Sequence, residues 1–321
     1  MSASSKKPTI GNKETKKRAT TKSRKLAAPT YRSFKISKPI KHPNGSLPSS
    51  LKLLKWSLAH ILAHKKVFIG ITAVYLLLTV VFVKGFGVGG DVTELRGVVD
   101  ELLAGSGRLF TGLTLYGLLV GSTGNASSGI AGLYQTILLI MVSLALIWAL
   151  RQTYAKEPIR IRDAFYKGMY PLVPFILVLA VVGLQLLPAI IGGAFYSIVV
   201  SGGLAVTGAE QVIWLLVLGL LILLSLYMVS SSLFALYIVT LPDMTPMSAL
   251  RSARELVRYR RWSLMRKIMV LPFILLISAA VIMVPLLLTV TLIAEYIFFI
   301  GTMFALAVVH SYMYTLYREL L

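Results

Sequence analysis

From Val67 onward the chain alternates between long, unbroken apolar runs and short polar intervals, most of them basic. Six runs reach or approach the ~20 residues that cross a hydrocarbon core. They lie near 67–83, 130–150, 172–195, 212–238, 268–288 and 295–316. The first is short, and the fourth sits inside an apolar run from Val212 to Leu241, which predicts tilt or an overhang into the interface. The long interval is 84–129, an outer loop between the first two spans. Its segment VTELRGVVDELL puts Val92, Leu95, Val98, Val99, Leu102 and Leu103 on one helical face, so an amphipathic outer helix is expected. RLFTGLTLYGLLVG, which follows, is too short to span and suits a re-entrant or interfacial helix.

Amphipathic, basic stretches precede the odd-numbered spans. Before the fifth, Thr245 is placed to cap a helix with Pro246 at its first position. Ala249, Leu250, Ala253, Leu256 and Val257 then share one arc, and Arg251, Arg254, Arg258 and Arg261 a neighbouring one. This predicts an interfacial helix with its cations toward lipid phosphates. Arg260 falls on the apolar arc, so either the helix ends near Tyr259 or that guanidinium snorkels. Before the first span, SSLKLLKWSLAHILAHKK repeats the pattern: Leu51, Leu54, Leu58, Ile61 and Leu62 at helical spacing, Lys52 and Lys55 as headgroup contacts, and Trp56 at headgroup level. IRIRDAFYKGMY stands before the third.

The later two of these stretches lead into similar words, PFILVLAVVGLQLLP from Pro174 to Pro188 and PFILLISAAVIMVP from Pro272 to Pro285. A parallel threefold repeat, each unit an interfacial helix and a hairpin of two spans, accounts for all six spans. Chance likeness between low-complexity apolar segments is the competing explanation. The four prolines are expected to kink the third and fifth spans.

The chain has 321 residues, 56% hydrophobic and 14% charged, with a mean hydropathy of +0.78, which excludes a soluble globular domain. The net charge of +21 is unevenly spread, for roughly half of the 33 Lys and Arg precede Val67. Residues 1–47, rich in Lys, Ser, Thr and Pro, read as a disordered basic cytoplasmic tail, and 48–321 as the membrane domain. Anionic lipid, nucleic acid or ribosome contact by the tail and a mere topology-setting role stand equal; Tyr31 and Phe34, its only rings, give no interleaving for specific nucleic-acid recognition. Cations alternate with the loops: abundant at 151–167 and 251–267, absent from 201–211, and outnumbered by acids between Lys84 and Arg108. Both termini are therefore expected on the cytoplasmic side.

The six spans with basic helices before the odd-numbered ones, and the Ser-Ala-Leu-Arg-Ser-Ala-Arg run at 248–254 ahead of an apolar, proline-bearing helix, resemble a bacterial membrane domain. That domain occurs fused to glycerophosphodiester phosphodiesterases and as stand-alone, uncharacterised membrane proteins. The resemblance covers about residues 49–317. It implies a membrane module of the bacterial inner membrane, without the soluble catalytic barrel of the fused enzymes, and suggests a lipid connection.

Polar groups inside the spans are few. Gln185 and His310 are the intramembrane candidates, with Glu295, Ser225 and Ser230 to Ser232 beside them. Glu295 and His310 lie about 22 Å apart on one helix at 1.5 Å per residue, too far to pair. The serines read as close helix packing, since no acid or second His accompanies them in the membrane. His60 and His64 have the i, i+4 spacing of a metal pair but no third ligand, so no metal is expected, and with no Cys there is no thiolate site. GFGVGG at 85–90 follows a span and precedes an acidic stretch, so no phosphate cofactor is read from it; Asn125, Ala126 and Ser127 form a glycosylation triplet of the kind frequent by chance. Two function classes remain. One is a non-catalytic scaffold or adaptor whose basic collar holds anionic lipid or a protein partner; the other is a small transporter with a substrate path between repeated hairpins.

Overall fold

The computed structural model describes residues 48–83, 130–205 and 207–321, whose regular elements are all α-helices. The expectations for the tail up to residue 47 and for the 84–129 loop lie outside the described residues. The helices are α1 (Ser50–Ala63), α2 (Lys65–Phe82), α3 (Ile130–Tyr154), α4 (Ile161–Gly168), α5 (Leu172–Ser201), α6 (Gly208–Ser232), α7 (Ala235–Ile238), α8 (Pro246–Val257), α9 (Arg261–Thr289) and α10 (Thr291–Leu320). Six stretches are long and apolar enough to cross a bilayer: Lys65–Phe82, Gly132–Tyr154, Leu172–Val200, Gly208–Ile238, Arg261–Thr289 and Ile293–Leu320. The protein is an all-α polytopic membrane protein, the form in which each spanning segment satisfies its own backbone groups. A short helix followed by two long ones occurs three times, as α1–α3, α4–α6 and α8–α10.

The bundle is organised around α3. From Val142 to Leu150 every residue except Trp148 is buried, and α3 touches α2, α4, α5 and α10. A helix that is apolar on all sides is suited to such a central place. Opposite in character is α6, which exposes Val212, Ile213, Leu216 and Leu220. In a bilayer these side chains meet hydrocarbon. Small residues set the closest approaches. A Cβ on Gly168 of α4 would sit 3.3 Å from the Cα of Ala145, and one on Gly192 of α5 would sit 2.8 Å from Cδ1 of Leu221.

Three of the four prolines stand inside helices: Pro188 in α5, and Pro272 and Pro285 in α9. Pro174 does not act as a kink. It is the third residue of α5, where the N–H it lacks has no intrahelical acceptor to lose. At Pro188 the neighbouring helix compensates, for the N–H of Ala189 donates to Ser225 Oγ of α6 at 3.0 Å. Ser225 is fully buried, so in a bilayer this is the helix-to-helix patching that tolerates an intramembrane proline.

The long fourth run is broken. Helix α6 ends at Ser232, and α7 follows after a turn in which Phe234 is completely buried. Tyr237, Ile238 and Val239 are buried too, so the last part of the run is protein core and not lipid-facing span. Two further expectations are corrected at the amphipathic helices. In α1 the buried row is Leu53, Ser57 and Ile61, with Leu54 and Leu58 half-buried, while Leu51 and Leu62 are exposed. The face is turned because α1 packs on α10, where Ser311 Oγ donates to the carbonyl of Ser57 at 3.2 Å. Helix α8 ends at Val257, with Arg258 its C-cap, so Arg261 opens α9 and is not in line with the other three arginines.

Candidate functional site

The short helices, the α7–α8 turn and the C-terminal turns of α3 and α10 meet at one end of the bundle. On α8, Thr245 Oγ1 accepts from the N–H of Ser248, and Ala249, Ala253 and Val257 form a buried stripe. Arg251, Arg254 and Arg258 are exposed. Lys52 and Lys55 of α1 are also exposed, with Lys52 Nζ 5.0 Å from the Trp56 ring centroid. Arg261 is held differently: Nη1 donates to the hydroxyl of Tyr227 at 2.9 Å and the guanidinium lies 5.1 Å from that ring's centroid. This half-buried contact sets it apart from the exposed row.

Beneath this collar lies a layer of tyrosine and histidine. Tyr312, Tyr314 and Tyr317 crowd the last turns of α10. Tyr237 of α7 lies 6.1 Å from Tyr314 and 6.2 Å from Tyr317 between ring centroids, and its hydroxyl is 3.1 Å from Nδ1 of His310. The intramembrane His310 is thus hydrogen-bonded to a neighbouring helix. His60 stacks on Tyr154 with centroids 3.8 Å apart and planes 4° from parallel, and the Arg318 guanidinium is 4.2 Å from the same ring's centroid. Thr153 gives its hydroxyl proton to the carbonyl of Leu150, so the 2.8 Å contact between Thr153 Oγ1 and His60 Nε2 assigns the ring proton to Nε2. Burial first, then the nearby His64 and Arg318, push the His60 pKa from 6.5 down to about 4. His64 Nδ1 donates to the carbonyl of His60. Among the described residues no group of three potential ligands surrounds this His pair.

Beside the layer a cleft of about 990 Å³ opens between the end of α3, the α4–α5 turn and the α7–α8 turn. Leu144 and Trp148 wall its inner part; Arg151, Lys167, Tyr170 and Asp243 also line it. The position of Arg151 is fixed by Thr240, whose carbonyl accepts from Nη1 at 2.9 Å and whose hydroxyl oxygen accepts from Nη2. Thr240 in turn donates to the carbonyl of Tyr237 at 2.8 Å. Among the described residues no carboxylate pairs with Arg151. Asp243 stands in the left-handed region, φ 59°, where the chain doubles back after Pro242. Lys167, Tyr170 and Asp243 are exposed.

The residues expected to matter are thus dispersed. His310 belongs to the tyrosine layer, whereas Gln185 lies midway along α5 with its Oε1 buried and without a hydrogen-bond partner among the described residues. Ser230 and Ser231 donate to the carbonyls of Tyr227 and Met228 within their own helix. The cleft residues Arg151, Lys167 and Asp243 were not distinguishable from topology charges in the sequence. A usable signal existed in Trp148 one turn before Arg151, and in three tyrosines among the six residues 312–317. Comparison with known proteins adds no relative: no family model, curated protein or solved structure matches this chain.

Proposed function

We propose that this multi-pass membrane protein is a non-catalytic scaffold or adaptor whose basic end contacts anionic headgroups and presents a surface to a protein partner. The observation that carries the reading is α8, where the exposed row Arg251, Arg254 and Arg258 stands on a helix whose other face is buried in the bundle. Lys52 and Lys55 extend the positive surface at the same end. The excess of cations there favours a cytoplasmic placement of that end and of both termini. That the membrane is a bacterial inner membrane rests on the family resemblance alone. The hydroxyls of Ser225, Ser230 and Ser231 are engaged in holding helices, which favours a structural over a catalytic role for them.

Each exposed cation near an anionic leaflet contributes on the order of 1 kcal/mol, and salt weakens that attraction. Replacing Arg251, Arg254 and Arg258 together with Gln should therefore leave the folded bundle intact while reducing the enrichment of acidic lipid around the reconstituted protein. Spin-labelled lipid partitioning at low and high salt measures this. An enrichment equal in wild type and variant, and indifferent to salt, would remove the reading.

A further inference from the structure

We propose that the cleft between α3, the α4–α5 turn and the α7–α8 turn is a specific site for one anionic glycerophospholipid with a hydroxyl-bearing headgroup. The inference rests on the reading of this end as the one that contacts lipid headgroups. Its volume of about 990 Å³ is at the upper end of the roughly 300–1,000 Å³ typical of ligand pockets, so it can hold a headgroup and the start of the acyl chains. Its lining is polarised along the helix axis. Arg151 lies near the end of α3, and Leu144, seven residues earlier, is about 10 Å deeper at 1.5 Å per residue. The chemistry therefore runs from cationic at the bundle end to apolar toward its middle, as an amphiphile in the adjoining leaflet does. Trp148 and Tyr170 add rings of the kind that sit at the level of glycerol and headgroup.

The charges select the headgroup. Arg151 spends two of its five N–H donors on Thr240, leaving three without an acceptor among the described residues in a side chain already held in place. A planar, fixed guanidinium is the side chain best matched to a phosphate diester, and Lys167 supplies a second cation at the mouth. Asp243 lines the same cleft and would repel a bare phosphate. It becomes favourable when the headgroup beyond the phosphate carries a donor. Two cations against one carboxylate leave an excess of one positive charge, which a headgroup with a single negative charge and free hydroxyls balances. Phosphatidylglycerol has that chemistry; phosphatidylethanolamine, though it offers a donor, brings no net charge.

The test is native mass spectrometry of the delipidated full chain titrated separately with phosphatidylglycerol, phosphatidylethanolamine and phosphatidic acid, following the first lipid bound. Phosphatidylglycerol should bind most tightly. Lys167 is exposed and its charge is screened, so Lys167→Gln should weaken that binding by about fivefold. Asp243→Asn should weaken phosphatidylglycerol but not phosphatidic acid, which has no headgroup hydroxyl. Arg151→Gln should have the largest effect, and because that side chain also ties α3 to Thr240, the two exposed positions carry the test if it fails to fold. Binding of phosphatidylethanolamine equal to phosphatidylglycerol, displacement of the lipid by inorganic phosphate or glycerol phosphate, or affinities unmoved by Lys167→Gln and Asp243→Asn would each overturn the site. The Arg251, Arg254 and Arg258 triple variant separates the two proposals. Loss of general acidic-lipid enrichment in that variant with first-lipid affinity kept supports the cleft as distinct from the collar. First-lipid affinity lost in the triple variant alone overturns the cleft and leaves the collar standing.

Discussion

Replacing Ser225 with Ala should destabilise the bundle by roughly 1 kcal/mol, and nearly all of that effect should disappear when Pro188 is first replaced by Ala. Ser225 is fully buried, and its Oγ accepts the N–H of Ala189 across the α5–α6 interface at 3.0 Å. Removing one partner of a buried hydrogen bond leaves the other unsatisfied, at about 1–3 kcal/mol. Measured interhelical bonds in membranes are weaker, averaging about 0.6 and reaching about 1.7 kcal/mol, because the undocked helices also find partners in the bilayer. A gain of a few tenths from the better helix propensity of Ala pulls the same way. In a Pro188→Ala background the residue at 188 regains its N–H and loses the ring that crowds the carbonyl of Leu184. The α5 ladder can then regularise around Ala189, and Ser225→Ala should cost less than about 0.5 kcal/mol. The coupling of about 1 kcal/mol is what a double-mutant cycle reads. Steric-trap unfolding in bicelles suits it, because both states remain in a bilayer. An equal cost of Ser225→Ala in the two backgrounds would refute the assignment of Ser225 as the patch for the Pro188 break.

Two other outcomes are expected. His60 has its pKa depressed from 6.5 to about 4, so the docking of α1 is at full strength above 6.5 and is lost progressively as pH falls through 4. The whole drop is equivalent to roughly 3.4 kcal/mol, and the half-exposed setting reduces this to about 1–2 kcal/mol; hydrogen exchange of α1 between pH 7 and 4 measures it, and an unchanged pH slope in His60→Gln would assign the effect elsewhere. Reporter fusions after residues 165, 258 and 321 should report the cytoplasm and a fusion after 205 the opposite side, and a cytoplasmic signal at 205 would reverse the proposed orientation.

The sequence by itself determined the class of the protein and the place of its helices. Apolar runs of spanning length have one backbone solution in hydrocarbon, so six spans and the short helices before the odd-numbered ones follow from the sequence, with span ends displaced by up to seven residues. The α8 stripe was readable for the same reason that any soluble amphipathic helix is: Ala249, Ala253 and Val257 contrast with the arginines around them. Within the spans that contrast vanishes. Lipid and protein interior are equally apolar, so periodicity does not say that α3 is central, that α6 faces outward, or that Tyr237 to Val239 belong to the core. It also left α1 misjudged, because Leu51 and Leu62 lie as comfortably against lipid as Leu53 and Ile61 do against α10. Whether a proline bends a helix depends on its turn within that helix, which separates Pro174 from Pro188. The candidate cleft was decided by tertiary structure for a related reason. Arg151 near the end of α3, Lys167 near the end of α4 and Asp243 in the α7–α8 turn come from three separate parts of the chain, and each alone has the form of an ordinary interfacial charge. Only the packing of α3 against α4 and the α7–α8 turn, fixed by Gly168 on Ala145 and by Arg151 on Thr240, brings them to one opening.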